Sequence, residues 1–367
     1  MSTLSFFPWL TIREPVSLPP FSLVPYERAR RPGGVLQGTL DVVLEPHVDT
    51  VKPIRRATLI HFEGRPIVDD LTEVEIAQFY RFRDLIALAG LASRECFGFG
   101  LHYCNRDNFV LAIQSFNPAH PASAVSRVSR RRDGSARGIV ARSAYLERRP
   151  AHVPANVSDR VDMPLLQALL NGQRSLSHWA RCEDAIRFFN DANSDDEQVL
   201  EQAEAVYMVS AFERLLDCRR GKEDDLVGRF SKAWRPRECL VARIGPRAGA
   251  PISGRMSLTE AWLRDFFRHR GSYAHGKLTA LHPPVWSLRE HLLLGSYLFP
   301  RLVKRILDVA GLYVWTDKDE DDAGLFEHFL NEDLFSAPED PEDGTQYAWD
   351  RVRQDYLWRR VHAVISG

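Results

Sequence analysis

The 367-residue chain is short of several things, and each shortage excludes a class of protein. Its five cysteines, Cys96, Cys104, Cys182, Cys218 and Cys239, are an odd number and form no Cys-x-x-Cys pair. That excludes a disulfide-stapled scaffold and points to free thiols in a reducing compartment. No run approaches the ~20 consecutive apolar residues that a membrane-spanning helix needs. The first twenty residues lack a basic start followed by an apolar stretch, so no secretory signal is read and a cytoplasmic location is expected. Neither sign of charge dominates, with 48 lysines and arginines against 49 acidic residues. A uniformly basic nucleic-acid coat is thereby excluded, although a local basic surface is not. A Walker loop, a Gly-x-Ser-x-Gly elbow, a His-Glu-x-x-His pair and a Gly-x-Gly-x-x-Gly turn opening a helix are all missing. No cofactor is expected, and no metal. Cys96, His102 and Cys104 lie close in sequence but supply fewer ligands than the four of a structural zinc site.

What is present fits a globular protein of about two domains, with 44% hydrophobic and 26% charged residues. The expected fold class is α+β. A small, β-rich α+β domain covers residues 1–155, an all-α helical bundle 156–316, and an acidic, partly helical tail 317–367. In the first part, Val35–Val43, Ala57–Phe62 and Phe109–Ile113 read as short strands. Thr72 with Glu75 makes a capping box for a helix running to Ala92.

Residues 126–149 hold eight arginines against Asp133 and Glu147. Two readings stay open here. One is a basic strip for RNA backbone that includes Arg130, Arg131 and Arg132; the other is a loop or hairpin joining two domains.

From about residue 160 the apolar period becomes helical. Asp162 reads as an N-cap ahead of Pro164. Helices are expected over Ser175–Phe189, Asp195–Asp217, Leu226–Trp234, Leu258 to about Arg270, and Trp286–Ala310. Ser257 with Glu260 caps the fourth, and Gly311 closes the fifth. Leu288, Leu292, Ser296, Phe299, Val303, Ile306 and Ala310 set the apolar or small face of the fifth. Residues 317–343 then carry twelve acidic residues against Lys318. Phe326, Phe329, Leu330, Leu334 and Phe335 predict a short amphipathic helix within this stretch, one that docks onto something.

The segment with chemistry in it is Phe266–Lys277, expected between the fourth and fifth helices. It holds Arg270-x4-His275 and Arg268-x6-His275. Positions 268 and 275 share a helical face; 270 and 275 converge if the helix ends between them, and Gly271 is the residue expected to end it. A histidine with an ordinary pKa near 6.5 suits proton transfer, and a guanidinium suits a phosphate. No metal-ligand set is read near this motif.

The string Arg270-Gly-Ser-Tyr-Ala-His275-Gly276 resembles the Arg-x4–6-His motif of the HEPN superfamily, and in particular its Apea-like branch. Ala211–Leu216 (AFERLL) resembles that branch's earlier helix, which reads A-L-E-x-L-L. The resemblance covers about residues 160–315. It implies a helical bundle and a metal-independent endoribonuclease in which the RNA's own 2′-OH attacks the phosphate. His275 is then the acid or base, and Arg270 or Arg268 the phosphate clamp. Two protomers would pool their Arg/His pairs in a homodimer. The residue after Arg270 is Gly271, where the family has Asn, Asp, His or Ser, whereas His269 after Arg268 fits; both registers therefore stay open. Glu213 is read either as holding the motif arginine or as a surface or capping residue. Ser272 and Tyr273 are read either as phosphate- or base-contacting groups or, for Tyr273, as a core-edge aromatic. The resemblance further implies a bacterial anti-phage or toxin-like effector acting on tRNA or mRNA, with the N-terminal domain answering a phage-derived trigger. The alternatives are a non-catalytic HEPN module that binds RNA or protein, and an adaptor or antitoxin within a larger complex.

Overall fold

The computed structural model describes residues 2–95, 103–130, 134–141, 146–154, 160–218, 222–234, 257–274, 285–335, 351–352 and 354–358, with backbone alone at 123–130 and 134–141. The protein is α+β, and the chain divides into two compact units at Asp162/Met163. No described helix is long and apolar enough to cross a membrane.

The first unit is built on an antiparallel sheet. Its strands are β1 (Ser2–Phe7), β2 (Val16–Leu18), β3 (Phe21–Glu27), β6 (Arg56–Phe62), β8 (Ala112–Asn117), β9 (His120–Arg130) and β10 (Gly134–Ala141), in the order β10-β9-β8-β1-β6-β3-β2, with β7 (Val68–Asp69) also on β1. A small second sheet joins β4 (His47–Asp49) to β5 (Lys52–Pro53) and β11 (Glu147–Arg148). Alternation along the strands sends Leu4, Phe6, Ala57 and Leu59 into one core with Leu40, Val43 and Leu44 of α1 (Val35–Leu44). Phe21 and Phe62 meet Phe79 and Phe82 of α2 (Glu73–Ser93) in an aromatic cluster, with centroid spacings of 4.7–5.6 Å.

Two expectations fail here. Residues 35–43 form a helix rather than a strand, because Leu36, Leu40, Val43 and Leu44 fall at i, i+4, i+7 and i+8 and outweigh the partial alternation. Phe109 closes a 3-10 turn (Arg106–Phe109), so strand β8 begins only at Ala112. The helix read from Thr72 is present, and its capping box is formed on both sides.

The second unit holds α3 (Met163–Ser175), α4 (Trp179–Asp191), α5 (Glu201–Leu215), α6 (Glu223–Trp234), α7 (Leu258–Ala274), α8 (Leu288–Val309) and α9 (Asp317–Phe329). The helix expected over 175–189 starts four residues later, because α3 runs on to Ser175. The Trp179 ring folds back so tightly on Gly172 that a Cβ there would lie 2.9 Å from it. Fully buried Phe212 of α5 knits the core, meeting Phe299 of α8 at 5.4 Å and Trp262 of α7 at 6.3 Å. Gly311, at φ +71°, supplies the left-handed residue that closes α8.

The acidic stretch is not a solvated tail over 317–335. Helix α9 is capped by Thr316 and Asp319, and Phe326, Phe329, Leu330 and Leu334 are buried. Its acids are used internally. Asp319 accepts from Lys304 at 2.7 Å and from Tyr313 at 2.9 Å, and Asp322 accepts from Arg301 at 2.9 Å. Burial alone would raise the Asp319 pKa, but Lys304 and Thr316 outweigh it and hold the carboxyl below its ordinary value.

Candidate functional site

Helix α7 carries most of the residues singled out by the motif. Ser257 and Glu260 exchange hydrogen bonds of 3.0 and 3.2 Å and start it as the sequence predicts. It does not stop at Gly271 but continues to Ala274, because a lone glycine weakens a helix without breaking one. The described part of the motif therefore lies on a helix rather than between helices. His275 lies outside the described residues, as do Cys96, His102, Arg131 and Arg132.

Three arginines project from α7, and each meets a carboxylate. Arg270 is ion-paired with Glu213 of α5, with both side chains largely withdrawn from solvent at 17% and 15% exposure. Its guanidinium also lies over the Phe267 ring at 5.1 Å. Arg268 is bidentate on Glu223 of α6 at 2.8 and 2.9 Å but is 58% exposed. Arg264 bridges Glu223 and Asp224 at 2.8 and 2.7 Å. The structure thus brings Glu213 to Arg270 and leaves Arg268 on the outer surface. Ser272 donates back to the Arg268 carbonyl at 3.3 Å, an ordinary helical bond. Half-buried Tyr273 sits edge-on to His269 at 6.1 Å, and burial pushes its phenol pKa up.

A group that the sequence reading did not assemble lies on the inner side of the same helix. Asp265 and His269 of α7 converge with His291 of α8, with one donor atom of each within 4.8 Å of the others. His291 is fully buried and stacks on Phe266 at 4.7 Å and 7°. Its Nε2 faces Asp265 Oδ2 at 3.3 Å, its Nδ1 is buried without a hydrogen bond, and His269 Nε2 is likewise buried without one. Asp265 Oδ2 accepts from the amides of Val285 and Trp286 at 3.0 and 3.1 Å. Burial pushes both histidine pKa values down, so both rings are neutral near pH 7. Burial works the other way on Asp265, but its pairing with His291 and the Trp286 amide outweigh burial and hold the carboxyl below its ordinary value.

The expectation that no donor set lies near the motif is therefore corrected. The Asp265-x3-His269 spacing is a signal available in the sequence. His291 was hidden because the buried arc of α8 is wider than the face expected: Ser296, Phe299 and Val303 are buried as expected, and His291, Leu294, Leu298 and Leu302 are buried beside them.

In the first unit, the arginine-rich segment forms the β9–β10 hairpin at the sheet edge, with Arg127 opposite Arg137 and Arg130 opposite Gly134. Its last member, Arg149, is structural, since Nε donates to Asp49 at 2.8 Å and Nη1 donates to the Val153 carbonyl. Cys104 is buried, with its thiol 3.6 Å from the Gly90 carbonyl.

No family model matches the chain, and no curated protein or solved structure does either.

Proposed function

We propose that the chain is a HEPN-type endoribonuclease that cuts RNA through attack of the 2′-OH on the adjacent phosphate. The observation that carries this reading is the Glu213–Arg270 pair. It joins the two helices that bear the quoted stretches, and it fixes one motif arginine in a sheltered position. A pre-positioned guanidinium stabilises the charge of a phosphorane without reorganising. The same geometry favours the register Arg270/His275, with Arg268 as an outer contact. His275 takes the proton from the 2′-OH or returns one to the leaving oxygen. No metal acts at the scissile phosphate. Two copies pool their motifs in a homodimer, acting in the cytoplasm on tRNA or mRNA as a defence or toxin-like effector, with a phage-derived trigger acting through the first unit.

One observation favours the second reading, a HEPN module that binds RNA or protein without cutting. Both motif arginines are already met by carboxylates. End-labelled RNA separates the two. Nuclease action yields 2′,3′-cyclic phosphate and 5′-hydroxyl ends, leaves DNA intact, and is lost in His275→Ala with unchanged circular dichroism. RNA that is bound but never cut supports the second reading, and 5′-phosphate ends overturn the mechanism.

A further inference from the structure

We propose that Asp265, His269 and His291 form a binding site for one divalent transition-metal ion, Zn2+ by the chemistry of the donors, which pins α7 to the start of α8. Two imidazoles and a carboxylate are a ligand set that zinc uses with a water in the fourth position. The donors converge from two helices, each within 4.8 Å of the others. Zinc bonds of about 2.0–2.1 Å in a tetrahedron put neighbouring donors about 3.3–3.4 Å apart. The 3.3 Å between His291 Nε2 and Asp265 Oδ2 already equals such an edge. His269, which is only partly buried, brings the third donor to within 4.8 Å of the other two.

The second observation is the state of His291 itself. A neutral imidazole has one N–H and one lone pair, and a buried one ordinarily has both satisfied. His291 is fully buried, its Nε2 held only by a 3.3 Å approach to the Asp265 carboxylate, and the neighbouring His269 Nε2 is buried with no hydrogen bond at all. A metal ion supplies the missing partner. Around it, the Val285 and Trp286 amides hold the Asp265 carboxylate in place, as supporting hydrogen bonds commonly do for a ligand.

The ligands bracket residues 270–290 in sequence. The ion therefore ties together the two ends of the stretch that includes Arg270 and His275, without being assigned a part in RNA cleavage. The site stands whether or not the chain is a nuclease.

Metal binding is the readout. Untagged full-length protein purified without chelator should carry about one Zn2+ per chain by elemental mass spectrometry. Co2+ added to chelator-stripped protein should give the intense visible absorption of a four-coordinate site. His291→Ala should abolish both signals. His269→Gln, at a partly buried position where glutamine leaves the core filled, should weaken Zn2+ affinity by ~100-fold or more, beyond the effect of losing a supporting hydrogen bond. Zn2+ should raise the melting temperature of the stripped wild type and not that of His269→Gln. The assignment is overturned if folded, stripped wild type takes up no Co2+. It is equally overturned if His269→Gln keeps wild-type stoichiometry and affinity.

Discussion

Arg270 of α7 reaches Glu213 of α5 across 57 residues of sequence, and the two form an ion pair with both side chains largely shielded from water. A shielded guanidinium whose partner is removed keeps its desolvation cost and loses the compensating charge, at about 1–3 kcal/mol. Glu213→Ala should therefore destabilise the second unit by that amount in urea melts. Glu213→Gln should cost less, because it can still accept a hydrogen bond. If Arg270 is the phosphate clamp, Arg270→Ala should lower RNA cleavage by ~10²–10³-fold, whereas Arg268→Ala at the exposed position should cost under about tenfold. The reverse order in single-turnover rates would reassign the register to Arg268.

Helix α9 decides how the acidic segment can be tested. Deleting 317–367 would strip Leu325, Phe326, Phe329 and Leu330 from the core. Each such side chain is worth about 1.5–3 kcal/mol, comparable in sum to the stability of a whole domain. That truncation should unfold the unit by circular dichroism and say nothing about inhibition. Replacing Glu339, Asp340, Glu342 and Asp343 by Gln or Asn removes charge without removing α9. If these acids restrain RNA access, basal cleavage should rise, with a smaller rise at high salt as charges are screened over ~8 Å or less. Unchanged cleavage at low salt rules the restraint out.

Glu327 makes the second unit lose stability as pH rises from mildly acidic to neutral. Burial pushes its carboxyl up to about 7 from an ordinary 4.5, against the opposing hydrogen bond from Thr259. Between those two values the folded state holds a proton that the unfolded state has released. Stability therefore falls as pH rises through that window, by about 3 kcal/mol if the full shift is realised. Glu327→Gln should be more stable than wild type at pH 8 and should lose the advantage near pH 5. Equal pH dependence of the two proteins in denaturant melts would refute the assignment.

The β9–β10 hairpin offers a separate test of RNA contact. Replacing Arg130, Arg131 and Arg132 by Ser should weaken all RNA sequences alike. It should also flatten the salt dependence, with log K losing ~0.7 of slope for each single-strand phosphate contact removed. Arg149→Ser should behave differently, lowering stability through loss of its bonds to Asp49 and Val153. If the triple variant binds RNA with the wild-type salt slope, the strip is structural.

The sequence by itself determined what depends on neighbours along the chain. Thr72 with Glu75, Ser257 with Glu260 and Gly311 fixed helix ends because capping closes over three or four residues. The apolar residues of the acidic stretch point to a helix and a docked face there; Phe326 and Phe329 lie in α9, while Leu330 caps it and Leu334 is buried beyond its end. Periodicity does not decide where two patterns overlap, as in residues 35–43, and a single glycine does not stop a helix, as at Gly271. Only the tertiary structure decided which partners the charged and titratable groups meet. Glu213 lies 57 residues from Arg270, Asp319 meets Lys304 from another helix, and His291 of α8 meets Asp265 and His269 of α7. Such pairings rest on helix packing angles and on which face is buried. Those are settled by the shapes of Phe212, Trp262 and Phe299 in the core, and no spacing along the chain encodes them.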